Sequence, residues 1–161
     1  MESYIDLSGC QKLLSENSSK IEVTIVLKCL NATADSLRVV YETMRSKLIQ
    51  TRMFFDKLIE HESKNELLFE DLRCSKERIE KLMKSLKFIR NQMMKNFELI
   101  YPISWLLNNS QFECCEAIVE AVEDYKRTLW IFTQIILELH KSYFAFRNAI
   151  QTIRQELFAV D

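Results

Sequence analysis

An all-α fold, an elongated antiparallel bundle of three long helices (about 20–61, 64–100 and 111–160) preceded by a short N-terminal helix or arm, is what this sequence predicts. Three observations carry the prediction. The 161 residues include one glycine and one proline. Turns that need a positive or a locked φ draw on those residues, so the chain has few turns and long elements. Over three stretches, apolar residues recur four and then three apart, the spacing that holds one stripe of a helix against a neighbour. Three Ser-x-x-Glu sequences, Ser19 with Glu22, Ser63 with Glu66 and Ser110 with Glu113, stand just before those stretches. In such a capping box the serine oxygen accepts the third helical amide while the glutamate reaches back to the cap amide, which marks a helix start.

In chain order, Ser3 to about Ser15 gathers Tyr4, Ile5, Leu7, Leu13 and Leu14 around Gly9 and reads as a short helix or an arm across the bundle. The first long helix carries the seam Val23, Leu27, Leu30, Ala34, Leu37, Tyr41, Met44, Leu48, Thr51, Phe55, Leu58, polar only at Thr51. At ~1.5 Å rise per residue it would run on the order of 60 Å. The second carries Leu68, Leu72, Ser75, Ile79, Leu82, Leu86, Ile89, Met93, Asn96, Ile100, widened by Phe69, Met83, Met94 and Phe97. A wide stripe calls for more than one neighbour, so the polar break at His61 to Asn65 is expected to form a hairpin rather than a continuous rod. Pro102 cannot donate to the helical ladder and disfavours α geometry at Tyr101. The second helix is therefore expected to stop near Ile100, leaving Ile103, Trp105, Leu106 and Leu107 in an apolar loop. The third helix holds the longest seam, Ile118, Val122, Tyr125, Leu129, Phe132, Ile136, Leu139, Tyr143, Phe146, Ile150, Ile153, Leu157, Val160, widened by Trp130, Ile131, Ile135 and Phe144. Residues 1–161 are expected to form one helical-bundle domain.

Composition bounds the function. Apolar residues at 48% and charged residues at 28% favour a packed core over disorder. A formal net charge of −1 removes the global electrostatic case for nucleic acid. No window reaches the roughly 18 uninterrupted apolar residues of a membrane span, and the stretch from Leu129 to Leu139 is broken by Gln134 and Glu138. The start, MESYIDLSGC, lacks the apolar centre of a secretory signal. Cys10, Cys29, Cys74, Cys114 and Cys115 are odd in number and lack C-x-x-C spacing, which predicts reduced thiols in a cytoplasmic or nuclear setting.

Catalytic motifs are not found. His61 and His140 belong to no spacing that would bring metal ligands onto one helix face. A single glycine excludes phosphate-cradling loops and the nucleophile elbow. No enzyme, cofactor, metal or small-molecule substrate is expected. Thiols in the first turn of a helix have lowered pKa values, but Glu113 and Glu116 oppose that shift at Cys114 and Cys115, so packed, inert cysteines are expected.

Charge is segregated along the chain. Lys76, Arg78, Lys81, Lys84, Lys87, Arg90 and Lys95 crowd the second helix, whereas the third opens with Glu113, Glu116, Glu120, Glu123 and Asp124. Antiparallel packing is expected to bring Lys84, Lys87, Arg90 and Lys95 alongside that acidic start. The sequence thus predicts a non-enzymatic protein–protein interaction module, a coiled-coil-like scaffold, tether or subunit of a larger complex. Its partner is a protein or a second copy, docked at Ile103, Trp105, Leu106 and Leu107. The alternative is a membrane-acting bundle, lipid-binding or permeabilising, that contacts an anionic surface through Lys81, Lys84, Lys87 and Lys95. A secreted four-helix ligand ranks below both.

Overall fold

The computed structural model describes residues 12–59, 66–109 and 111–158. Its elements are α1 (Lys20–Ile59), α2 (Glu66–Leu106) and α3 (Glu116–Phe158), packed antiparallel in succession, with no strand among the described residues. All-α architecture is what the scarcity of glycine and proline requires.

The start of α1 follows its serine. Ser19 Oγ accepts the Glu22 amide at 3.2 Å, and the Ser19 carbonyl accepts the Val23 amide at 3.1 Å. The Glu22 carboxylate lies 3.8 Å from the Lys12 ammonium. Before the helix, the Ser18 amide donates to the Ser15 carbonyl at 3.0 Å, and Ser18 Oγ accepts the Ser15 amide at 2.8 Å. Lys126 Nζ donates to the Lys12 carbonyl at 2.7 Å, and Leu14 is buried while Leu13 is exposed. From Lys12 to Ser19 the chain is therefore an arm and not a helix. Tyr4, Ile5 and Leu7 lie outside the described residues, as do Ser63 and His61.

Two expected boundaries are corrected. The second helix does not stop at Ile100; it passes through Pro102 to Leu106. The proline removes the bond to the Glu98 carbonyl, but both residues lie on the exposed face, where water can satisfy that oxygen. Beyond it, the Leu107 amide still reaches the Ile103 carbonyl at 3.0 Å. The third helix starts at Glu116 and not near 111. Asn109 takes hold of the chain first: its Oδ1 accepts the Gln111 amide at 3.0 Å, and its carbonyl accepts the Phe112 amide at 3.2 Å. This side-chain turn competes with helix at the point where the sequence offers Ser110 as a cap. Cys115 instead supplies the first carbonyl, to the Val119 amide at 3.1 Å.

The described chain divides into two compact units, each holding a segment of all three helices. One takes the segment up to Val39 and Lys87–Gln134; the other takes Val40–Leu86 and the segment from Ile135 onward. In the first, Val23, Leu27, Leu30, Leu37, Met93, Ile100, Val122, Tyr125, Leu129 and Phe132 form the core. In the second, Tyr41, Met44, Phe55, Leu72, Ile79, Leu86, Leu139, Phe146 and Ile153 do so. Each large apolar side chain buried this way stabilises the fold by about 1.5–3 kcal/mol before ordering costs. The seams of α1 from Val23 to Phe55 and of α3 from Ile118 to Ile153 are buried except at Thr51 and Tyr143, which are half-buried. In α2 Leu72, Ile79, Leu86, Met93 and Ile100 are buried at every seventh position, joined by Asn96 and Ile103, while Ser75, Leu82 and Ile89 are half-buried. The expected widening on α3 is met only at the half-buried Ile135, since Trp130, Ile131 and Phe144 are exposed.

Antiparallel pairing of α1 and α2 is seen in both units. Lys20 Nζ donates to the Asn109 carbonyl at 3.3 Å and Arg38 covers the Phe97 ring at 5.8 Å in the first. Arg52 meets Glu80 at 3.9 Å and Lys76 meets Asp56 at 3.8 Å in the second. The chain thus forms the hairpin and not the rod.

Candidate interaction surfaces

The end of α2 in the first unit presents a row of aromatic side chains, two of them exposed. Phe97, Tyr101 and Trp105 are spaced by four, which stacks them along one helix face. The Phe97 and Tyr101 rings are 6.3 Å apart, and the Arg38 guanidinium caps Phe97. Tyr101 is 57% exposed and Trp105 71%. The row ends at a braced turn, where the Asn108 and Asn109 amides donate to the Trp105 and Leu106 carbonyls.

This surface corrects the expected docking tip. Trp105 and Leu106 are exposed, but Ile103 and Leu107 are 6% and 8% exposed and belong to the core. A helix continued through Pro102 turns residues 103 and 107 onto the face that carries Ile100, so they are buried together. Sequence reasoning missed Tyr101 because it ended the helix before it, and took Phe97 only as a flank of the core stripe. The aromatic spacing of four was the available signal.

The second unit carries a groove of about 450 Å³ between α1 and α2. Leu48, Ile79, Met83 and Phe146 line it with Ile49, while Arg45, Arg52, Lys76, Lys84 and Glu80 stand around it. Arg52 is paired with Glu80. Lys76 lies 4.7 Å from the centre of the Phe55 ring as well as beside Asp56. Arg45 and Lys84 have no such partner among the described residues. A smaller groove of about 250 Å³ between α1 and α3 is flanked by Arg147 and by Arg154, which covers the Phe54 ring at 5.7 Å.

The expected charge pairing between α2 and α3 is also corrected. Thr128 Oγ1 is 3.0 Å from Asn96 Oδ1, and this buried contact sets the register of the first unit. It places Lys95 opposite the stretch after Asp124, beyond the acidic start of α3. Glu123 and Asp124 pair instead within their own helix, with Lys126 at 3.1 Å and Arg127 at 2.7 Å. In the second unit Arg78 reaches Glu138 at 3.2 Å. Lys81, Lys84, Lys87 and Lys95 are all exposed on α2.

The cysteines depart from expectation in two ways: Cys29 is not a reduced thiol, and Cys115 is exposed rather than packed. Cys74, Cys114 and Cys115 are free, but Cys29 is disulfide-bonded. A bridge depends on how close the fold brings two Cα atoms, which neither an odd count nor the absence of C-x-x-C spacing can exclude. Cys114 has its pKa raised, first by burial and then by the neighbouring Cys115. That shift disfavours the thiolate, in line with an unreactive cysteine. His140 packs edge-on against Phe144 at 4.8 Å. Among the described residues no three His, Cys, Asp or Glu side chains converge as metal ligands, and no helix is long and apolar enough to cross a membrane.

Fold and surfaces together define a helical bundle with exposed aromatic and cation-rimmed faces. Comparison with protein-family models, curated protein sequences and solved structures gives no match for this chain.

Proposed function

We propose that this chain is a non-enzymatic protein–protein interaction module, a scaffold or tether within a larger assembly. The observation that carries the reading is the exposed row Tyr101 and Trp105 on α2, backed by Phe97 under Arg38. Tryptophan, tyrosine and arginine dominate the energetic centres of protein interfaces, and a rigid helix presents them at little ordering cost.

The test is affinity purification of the full chain from its source cells, comparing the natural sequence with Tyr101→Ala/Trp105→Ala. Both side chains are exposed, so the helical circular dichroism spectrum is expected to be unchanged. Recovery of bound proteins is expected to fall at least about tenfold, since each interface aromatic of this kind contributes on the order of 2 kcal/mol. An unchanged set of bound proteins would remove this face from the function.

A cytoplasmic or nuclear setting belongs to the same proposal, supported by the exposed free thiols of Cys74 and Cys115, which persist where thiols are kept reduced. The bridge at Cys29 favours the secreted-ligand reading instead. The membrane-acting reading draws on the exposed Lys81, Lys84, Lys87 and Lys95.

A further inference from the structure

We infer that the α1–α2 groove of the second unit docks an acidic amphipathic helix of a partner protein. The groove has the dimensions of two helical turns. Arg45, Leu48, Ile49 and Arg52 stand at i, i+3, i+4 and i+7 on α1, and Lys76, Ile79, Glu80 and Met83 repeat that spacing on the antiparallel α2, with Lys84 one residue beyond. At ~1.5 Å per residue the walls run on the order of 12 Å, with Phe146 of α3 reaching in as part of the lining. Apolar side chains at i, i+3 or i+4, and i+7 of an incoming helix fit such a trough, which would add a fourth helix to the three.

Charge selects the occupant. The contacts of Arg52 with Glu80 and of Lys76 with Asp56 fix the register of the two walls and bring Arg45 and Lys84 to the same end. Arg52 and Lys76, at the other end, are neutralised by their acidic partners. Arg45 and Lys84 are exposed and have no counter-ion among the described residues. Two unpaired cations at the mouth of an apolar trough complement Asp or Glu flanking an apolar stripe and repel a basic helix.

The inference rests on the reading of the chain as an interaction module, but its readout is a charge preference at the groove, separate from recovery of partners through Tyr101 and Trp105. The probes are two fluorescein-labelled peptides of roughly 20 residues, a length that can hold a helix. Both carry the same leucine stripe; one is flanked by glutamates and the other by lysines. Fluorescence anisotropy with the full chain is expected to show saturable binding of the glutamate peptide, about tenfold tighter than the lysine peptide. In Arg45→Glu/Lys84→Glu the preference is expected to invert, with the circular dichroism spectrum unchanged. Ile49→Glu, at an exposed position of the wall, is expected to weaken the glutamate peptide at least about tenfold. Equal binding of both peptides, or a preference that the double substitution leaves in place, would overturn the inference. So would a dimer in light scattering that Ile49→Glu dissociates, which would give the groove to a second copy. Binding of phosphatidylserine vesicles, lost in Arg45→Glu/Lys84→Glu with no peptide preference, would give its cations to a lipid surface and overturn it equally.

Discussion

Tyr125 shows how a single residue ties the first unit together. Its ring is fully buried, and its hydroxyl donates to Asn31 Oδ1 of α1 at 3.2 Å. One turn on, Thr128 Oγ1 lies 3.0 Å from Asn96 Oδ1 of α2 and 3.0 Å from the Asp124 carbonyl, so its single proton serves one of them at a time. Side chains of all three helices thus form a polar layer in an apolar core, and polar groups buried this way pin register because a slipped alignment leaves them unpaired. Burial pushes the Tyr125 pKa up to about 12, against an ordinary value of 10.0. The folded state therefore holds the phenolic proton more tightly than the unfolded state. That contribution is fully present below pH 10.0 and is lost as the pH rises toward about 12. Urea unfolding at pH 9 and at pH 11.5 should show Tyr125→Phe losing less stability over that interval than the natural sequence, with lysine deprotonation common to both. Parallel losses would show that the phenol is not shielded.

At the scale of the element, the start of α3 carries its own repulsion. Glu116, Glu120 and Asp124 follow one another at four-residue spacing, and only Asp124 has an ion-pair partner among the described residues. Each like-charged pair costs about 0.2–0.5 kcal/mol. Screening at about 0.5 M salt, where the Debye length falls to roughly 4 Å, removes most of that cost. Thermal melts at low and high salt are expected to show a rise of about 1–3 °C for the natural sequence and a smaller one for Glu120→Gln. Equal increments would mean the repulsion is compensated elsewhere. The elements were legible in the sequence to different degrees. Seams such as Val23 to Phe55 and Ile118 to Ile153 were readable because a buried stripe must be apolar at every turn. The ends were less so. Pro102 reads as a stop when judged by its lost hydrogen bond, yet on an exposed face the loss is small, and burial of Ile103 and Leu107 keeps the helix going. Ser110 reads as a cap, yet Asn109 turns the chain first.

At the scale of the whole molecule, the formal net charge of −1 leaves no overall field to steer it toward a polyanion, so binding falls to local surfaces. Of the candidate residues, Trp105 and Leu106 were legible as exposed and apolar. The groove was not, because its cations gain meaning only when Arg45 and Lys84 arrive together from different helices. Compartment is also a property of the whole chain. Alkylation in the source cells before lysis is expected to label the free thiols of Cys74 and Cys115, and the bridge at Cys29 makes its labelling the discriminating readout. Protection would mark passage through an oxidising compartment and favour the secreted reading, whereas labelling of Cys29 would favour the cytoplasm or nucleus.

By itself the sequence determined an all-α chain of three long helices, their apolar seams and the cap at Ser19, because hydrophobic period and capping chemistry act within a few residues of each other; the hairpin, favoured over a rod, was decided by the packing of α2 on α1. Tertiary structure alone decided the axial register of those helices. A seam repeating every seven residues fits its neighbour equally well one heptad up or down, so periodicity names a face and says nothing of what lies opposite. The Asn96–Thr128 contact selects one alignment, and that alignment separates Lys95 from the acidic start of α3. The same kind of choice in the second unit, made by Arg52 with Glu80 and Lys76 with Asp56, leaves Arg45 and Lys84 at one end of the groove with no ion-pair partner among the described residues.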